Sequence, residues 1–150
     1  VNYEEDVLSK IPNLPAIVSQ IVDFSTYRVL RKSLQVISDR IADALLIPRV
    51  RIKLTNKATL KEGKVASGNF RLQRGILFKF CTITMAVKDP HGVKYSGATI
   101  FKTACHEWQH WIDAFKLNYI NLTQSEYRLR AHSALFYIRC RQLEIKLTQD

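Results

Sequence analysis

Nowhere does this chain of 150 residues hold an apolar run approaching the roughly 18 residues that a membrane-spanning helix needs. Its first ten residues, VNYEEDVLSK, lack the basic-then-apolar layout of a secretory leader. No internal repeat, low-complexity tract or linker interrupts it, which excludes solenoids and bead-on-string architectures. Cysteine is scarce and odd in number, Cys81, Cys105 and Cys140, so the thiols cannot all pair. A domain of this size buries about 68–70% of its unfolded surface and needs no disulfide to hold a core. The expectation is a reduced, cytoplasmic protein without a membrane association. Val1 stands where an initiator Met would be, as in a processed or excised chain. Acidic residues are also few, 13 against 23 Lys and Arg, for a net charge of +10. That balance favours acidic partners and says nothing about fold.

What is present reads as one α+β domain across 1–150, with a helical part to residue 47, a basic sheet over 48–95 and two further helices over 96–150. Residues 14–24 and 26–47 carry helical periodicity, and Leu30, Leu34, Ile37, Ile41 and Leu45 recur at steps of three and four. From Arg49 to Leu54, basic and apolar residues alternate as in a strand with one wet face. Gly63, Gly68 and Gly75 punctuate short strands, one near 66–72 and one over 77–87, in a small, mainly antiparallel sheet. Asp89-Pro90-His91-Gly92 marks a turn. A helix over 98–117 follows, with Ser96 at its N-cap, and a last one spans about 125–147 with Leu129, Leu135, Phe136, Ile138 and Leu143 as apolar contributors.

The chemistry lies in His106-Glu107-Trp108-Gln109-His110, an HExxH pattern inside a segment that reads as helix on independent grounds. Residues four apart share a helix face, so both imidazoles can converge on one zinc ion. Glu107, one residue round, would reach a water on the metal, act as general base and return the proton to the leaving amine. This composition produces the pattern by chance in roughly 0.3% of random orderings, so chance is a poor explanation. A catalytic zinc needs a third protein ligand and an open position. Asp113, Glu126 and His132 lie downstream. Asp113 is about 4.5 Å of helix rise beyond His110, better suited to supporting a ligand than to being one. Glu126, across a loop at the start of the next helix, is the preferred ligand, although Thr123-Gln124-Ser125-Glu126 also fits a helix capping box. His132 is the alternative.

These residues resemble the zincin metallopeptidases, in particular the gluzincins and their small soluble members, the minigluzincins, and also SprT-like domains. The resemblance covers about residues 77–140 and implies a zinc-dependent peptidase with His106, His110 and Glu126 as metal ligands and Glu107 as general base. It also implies that the 77–87 strand is the sheet edge that pairs an extended peptide substrate. Thermolysin-type gluzincins carry Asp four residues after the ligand Glu, where this chain has Arg130. Asp113 would then orient a zinc histidine, or Arg130 would pair with Asp113 or Glu126. SprT-like domains use a third histidine, a role open to His132. Tyr127, Tyr137 and His91 are the candidates for stabilising an oxyanion.

Nine of the basic residues, against Glu62 alone, fall between Arg49 and Lys79, a local charge of +8. Arg49, Arg51 and Lys53 share one strand face, a possible site for nucleic acid or an acidic partner, or simply a solvated face that blunts edge pairing. The alternative to a peptidase is therefore a nucleic-acid-binding accessory domain with a structural or vestigial metal site, or a protease recruited to nucleoprotein. The first 24 residues could also lie across the cleft of a latent enzyme.

Overall fold

Two N-terminal helices, α1 (Leu14–Val22) and α2 (Tyr27–Leu45), follow the periodicity of their apolar residues. The computed structural model describes residues 8, 10–74, 79–119 and 123–149. The α2 stripe of Leu30, Leu34, Ile37, Ile41 and Leu45 is buried as its spacing requires, and Thr26 caps the helix by accepting from the Val29 amide. Strands β1 (Val50–Thr55), β4 (Gly68–Arg74) and β5 (Lys79–Ala86) form one sheet in the order β1-β5-β4. The pairing of β1 with β5 is parallel and that of β4 with β5 antiparallel, so the sheet is mixed. A separate antiparallel hairpin joins β2 (Thr59–Lys61) to β3 (Lys64–Ala66). Its turn places Glu62 and Gly63 at φ of 52° and 75°, a conformation that glycine adopts without steric cost.

Three further helices complete the chain: α3 (Gly97–Lys116), α4 (Gln124–Ala131) and α5 (Ala134–Thr148). The architecture is α+β, as expected, with α3 carrying the HExxH residues. Helices cover one face of the sheet, where Val50, Ile52, Cys81, Ile83 and Met85 enter the core. The free edge of β1 is satisfied by Gln35 of α2, which donates to the Val50 carbonyl at 2.8 Å and accepts from the Ile52 amide at 2.9 Å. Trp108 and Trp111 are buried on the back of α3 and fix it to its neighbours. Their indole N–H groups donate to Ser38 Oγ at 2.8 Å and to the Pro48 carbonyl at 3.0 Å. Gly97 allows the start of α3 to meet the end of α1, since a Cβ there would stand 2.2 Å from the Val22 carbonyl oxygen.

Three expectations are corrected. The most apolar strand, here Lys79–Ala86, lies in the middle of the sheet and not at its edge, with residues 77 and 78 outside the described residues. Burial between two neighbours suits its Cys81, Ile83 and Met85, whereas β4, with exposed Asn69 and Arg71, takes the outer position. The C-terminal helix is not continuous: it breaks at His132, and Ser133 caps a new helix by accepting from the Phe136 amide at 3.3 Å. The break rotates the apolar pattern, so Phe136, Leu143 and Leu147 are buried while Leu129, Leu135 and Ile138 face solvent. Helix α1 packs against α2, α3 and α5, so the described part of the first 24 residues does not cross the groove below, while residues 1–7 and 9 lie outside the described residues.

Candidate metal centre

Ser96 begins α3 as foreseen, accepting from the Thr99 amide at 3.2 Å, and the helix then runs unbroken through the motif. His106 and His110, one turn apart, bring their Nε2 atoms to 3.1 Å. The break between α4 and α5 turns His132 toward the same point, with its Nε2 at 3.0 Å from that of His110. One ligand nitrogen from each of the three lies within 4.8 Å of the others. Beneath them Phe136, fully buried in the first turn of α5, stacks on His110 at a ring separation of 4.2 Å and meets His106 and His132 edge-on.

The donor set suits a metal ion. Tetrahedral zinc at about 2.0–2.1 Å from its imidazole nitrogens separates them by about 3.3 Å, close to what is found here. A ring nitrogen offers one proton or one lone pair, so His110 Nε2 cannot satisfy both neighbours by hydrogen bonding alone. A shared cation resolves all three. Burial, then the neighbouring His106 and His132, drive the His110 pKa down to about 3. Burial and then His132 lower that of His106. Both lone pairs are therefore available at neutral pH.

Glu107 is buried, and desolvation pushes its carboxyl up to about 7. It lines a groove of about 580 Å³ together with all three histidines, Tyr127 and the chain from Val65 to Phe70, which runs from the end of β3 into β4. Gly68 makes this approach possible. A Cβ there would lie 3.0 Å from Glu107 Cγ and 2.8 Å from Thr103 Cγ2.

Glu126, the preferred third ligand in the sequence reading, is elsewhere. It is exposed and completes the capping box, its Oε1 accepting from the Thr123 amide at 3.3 Å and hydroxyl at 2.9 Å. Those bonds hold its carboxyl below the usual range. Asp113 is 1% exposed and does not orient a histidine. It accepts from Gln109 at 2.8 Å and from Arg139 Nε at 3.3 Å, and forms an ion pair with the Arg139 terminal nitrogen. Arg130 is exposed, its charge acting on Glu126 instead. Sequence reasoning missed Arg139 and Phe136 as supports of this site. The only local signal was Ser133, an N-cap residue that also marks the turn presenting His132.

Of the three oxyanion candidates, Tyr127 alone lines the groove, its ring 6.5 Å from that of His110. Burial first, then Glu107 and Asp113, raise its pKa, so the phenol keeps its proton. Tyr137 touches the outer sides of His106 and His132 and is largely exposed. His91 belongs to the turn whose backbone Asp89 caps. No thiol joins the three imidazoles among the described residues, and burial raises Cys81 to about 11 and Cys140 to about 12.

No family model, curated protein or solved structure matches the chain. The site's own chemistry carries the functional reading. Among the described residues, no helix is long and apolar enough to cross a membrane.

Proposed function

We propose that this protein is a zinc-dependent peptidase whose metal is held by His106, His110 and His132. The observation that carries the reading is one open groove lined by three convergent imidazoles, a buried carboxylate and an outer strand. A structural zinc site closes its fourth position with protein, whereas a catalytic one leaves it to water or substrate. When bound, zinc would lower the pKa of a water toward ~7 and polarise the scissile carbonyl.

The protein's own groups supply the rest. Glu107, on the α3 face beside both histidines, takes a proton from the attacking water and delivers it to the leaving amine. Burial raises its carboxyl in the metal-free protein, and a bound dication would favour the ionised form that accepts the water's proton. Tyr127 donates its phenolic proton to the oxygen on which charge develops. The outer edge of β4, rather than β5, offers backbone groups to an extended peptide, so the substrate adds to the sheet as a further strand.

The test is hydrolysis of a denatured, fluorescein-labelled protein by zinc-loaded enzyme. Cleavage should stop on chelation, return with zinc and be absent from Glu107→Gln, which keeps its metal. Protein that holds one zinc per chain and cleaves no peptide would sink the proposal.

A further inference from the structure

We propose that the outward face of the β1-β5-β4 sheet docks the phosphate backbone of a nucleic acid, beside the metal groove, with which it shares the chain from Ala66 to Asn69. The strand register assembles it. Arg51 of β1 and Arg71 of β4 flank Thr82 of β5 in one row, and Lys53 and Asn69 flank Thr84 in the next. Strand alternation sends all of them away from the helices, because their neighbours Ile52, Ile83 and Phe70 point toward the core. Arg51, Lys53, Asn69 and Arg71 are exposed. Lys53, Lys57, Asn69 and Arg71 line a hollow of about 400 Å³ over this face.

Arg49, which the alternating pattern placed with Arg51 and Lys53, drops out. It forms an ion pair with Asp43 at 2.8 Å and lies 3.6 Å from Asp39, both on α2, so its charge is spent within the protein. Beside the four cations that remain, Arg51, Lys53, Lys57 and Arg71, no carboxylate stands among the described residues that line the hollow.

The chemistry of the lining selects the occupant. Lysine and arginine interleaved with threonine, serine and asparagine are the side chains that contact phosphate and sugar. A protein partner would require aromatic or large apolar anchors at the centre of its interface. Among the described residues none lines this hollow, and the apolar ones that do are no larger than alanine. Among the described side chains Phe70 lies on the opposite face, and the groups offered on this one are those that contact phosphate and sugar, so recognition is of the backbone.

The test is fluorescence anisotropy with a labelled 20-nucleotide DNA of mixed sequence, single-stranded and as duplex, from 50 to 200 mM NaCl. Four phosphate contacts predict a log–log salt slope of about −3 and an affinity loss of about 50- to 150-fold across that range. Arg51→Gln, Lys53→Gln and Arg71→Gln together should cut the slope to about −1. Arg28→Gln, Arg31→Gln and Lys32→Gln remove the same charge from exposed positions on α2 and should leave the slope unchanged. A flat salt response of the wild-type protein overturns the proposal. So does an equal loss in the α2 variant, or a polyglutamate chain of matched charge that binds as tightly as DNA.

Discussion

Removing the Asp113 carboxylate tests whether the metal helix is locked to the C-terminal helix by a buried ion pair. Asp113 is 1% and Arg139 20% exposed by side chain, and the pair joins α3 to α5 across 26 residues of sequence. Asp113→Ala removes the carboxylate to which both the Arg139 guanidinium and the Gln109 amide donate. Breaking such a pair from one side costs about 3–5 kcal/mol, against the roughly 5–15 kcal/mol that holds a domain together. For a chain near 150 residues, each kcal/mol moves Tm by about 2–4 °C, so the variant should melt about 6–20 °C lower. Urea unfolding followed by circular dichroism should show the same loss as a lower midpoint with unchanged slope. The companion variant, Asp113→Leu with Arg139→Met, removes both charges and should recover most of the stability. A single variant that loses less than about 1 kcal/mol, or a double variant as unstable as the two singles summed, would refute the argument.

Other outcomes follow from the site. His132→Ala should weaken zinc by about 100-fold or more in a competition titration with a chromogenic chelator, taking a quarter of the roughly 10–16 kcal/mol that zinc contributes in structural sites. Glu126→Ala should bind zinc normally and lower the melting temperature only slightly, because its carboxylate serves the helix cap. Glu107→Gln should lower turnover by about 100- to 10,000-fold at unchanged zinc content, measured by single-turnover peptide hydrolysis. Gly68→Ala forces Thr103 and Glu107 aside and should reduce kcat with zinc affinity preserved; an unaltered kcat would show that β4 does not set the position of the base. Phe136→Ala opens a cavity beneath the histidines, costing about 3–5 kcal/mol on thermal unfolding.

Local pattern made much of this legible. The α3 boundaries, its Ser96 cap and the placing of both motif histidines on one face follow from spacing and capping alone. Alternation in β1 reported its wet and dry faces correctly. What escaped depends on contacts distant in sequence. The parallel pairing of β1 with β5 leaves no trace in either strand, so the identity of the outer strand was lost with it. The break at His132 carries neither glycine nor proline, and reading through it kept Glu126 and His132 on one rigid helix. Once the chain turns there, the histidine swings to the motif while the glutamate stays with Thr123. Arg130 stood nearer in sequence to Asp113, but the geometry of α5 brings in Arg139.

The central claim, a zinc centre built from three histidines, is tested most directly by X-ray absorption at the zinc edge of protein loaded with one equivalent. The account predicts a four-coordinate ion with three imidazole nitrogens at about 2.0–2.1 Å and one further light-atom ligand. It also predicts that His132→Ala removes one imidazole from that shell while Glu126→Ala leaves the shell unchanged. A spectrum with two imidazoles that changes on loss of Glu126 and is unaltered by loss of His132 would contradict it.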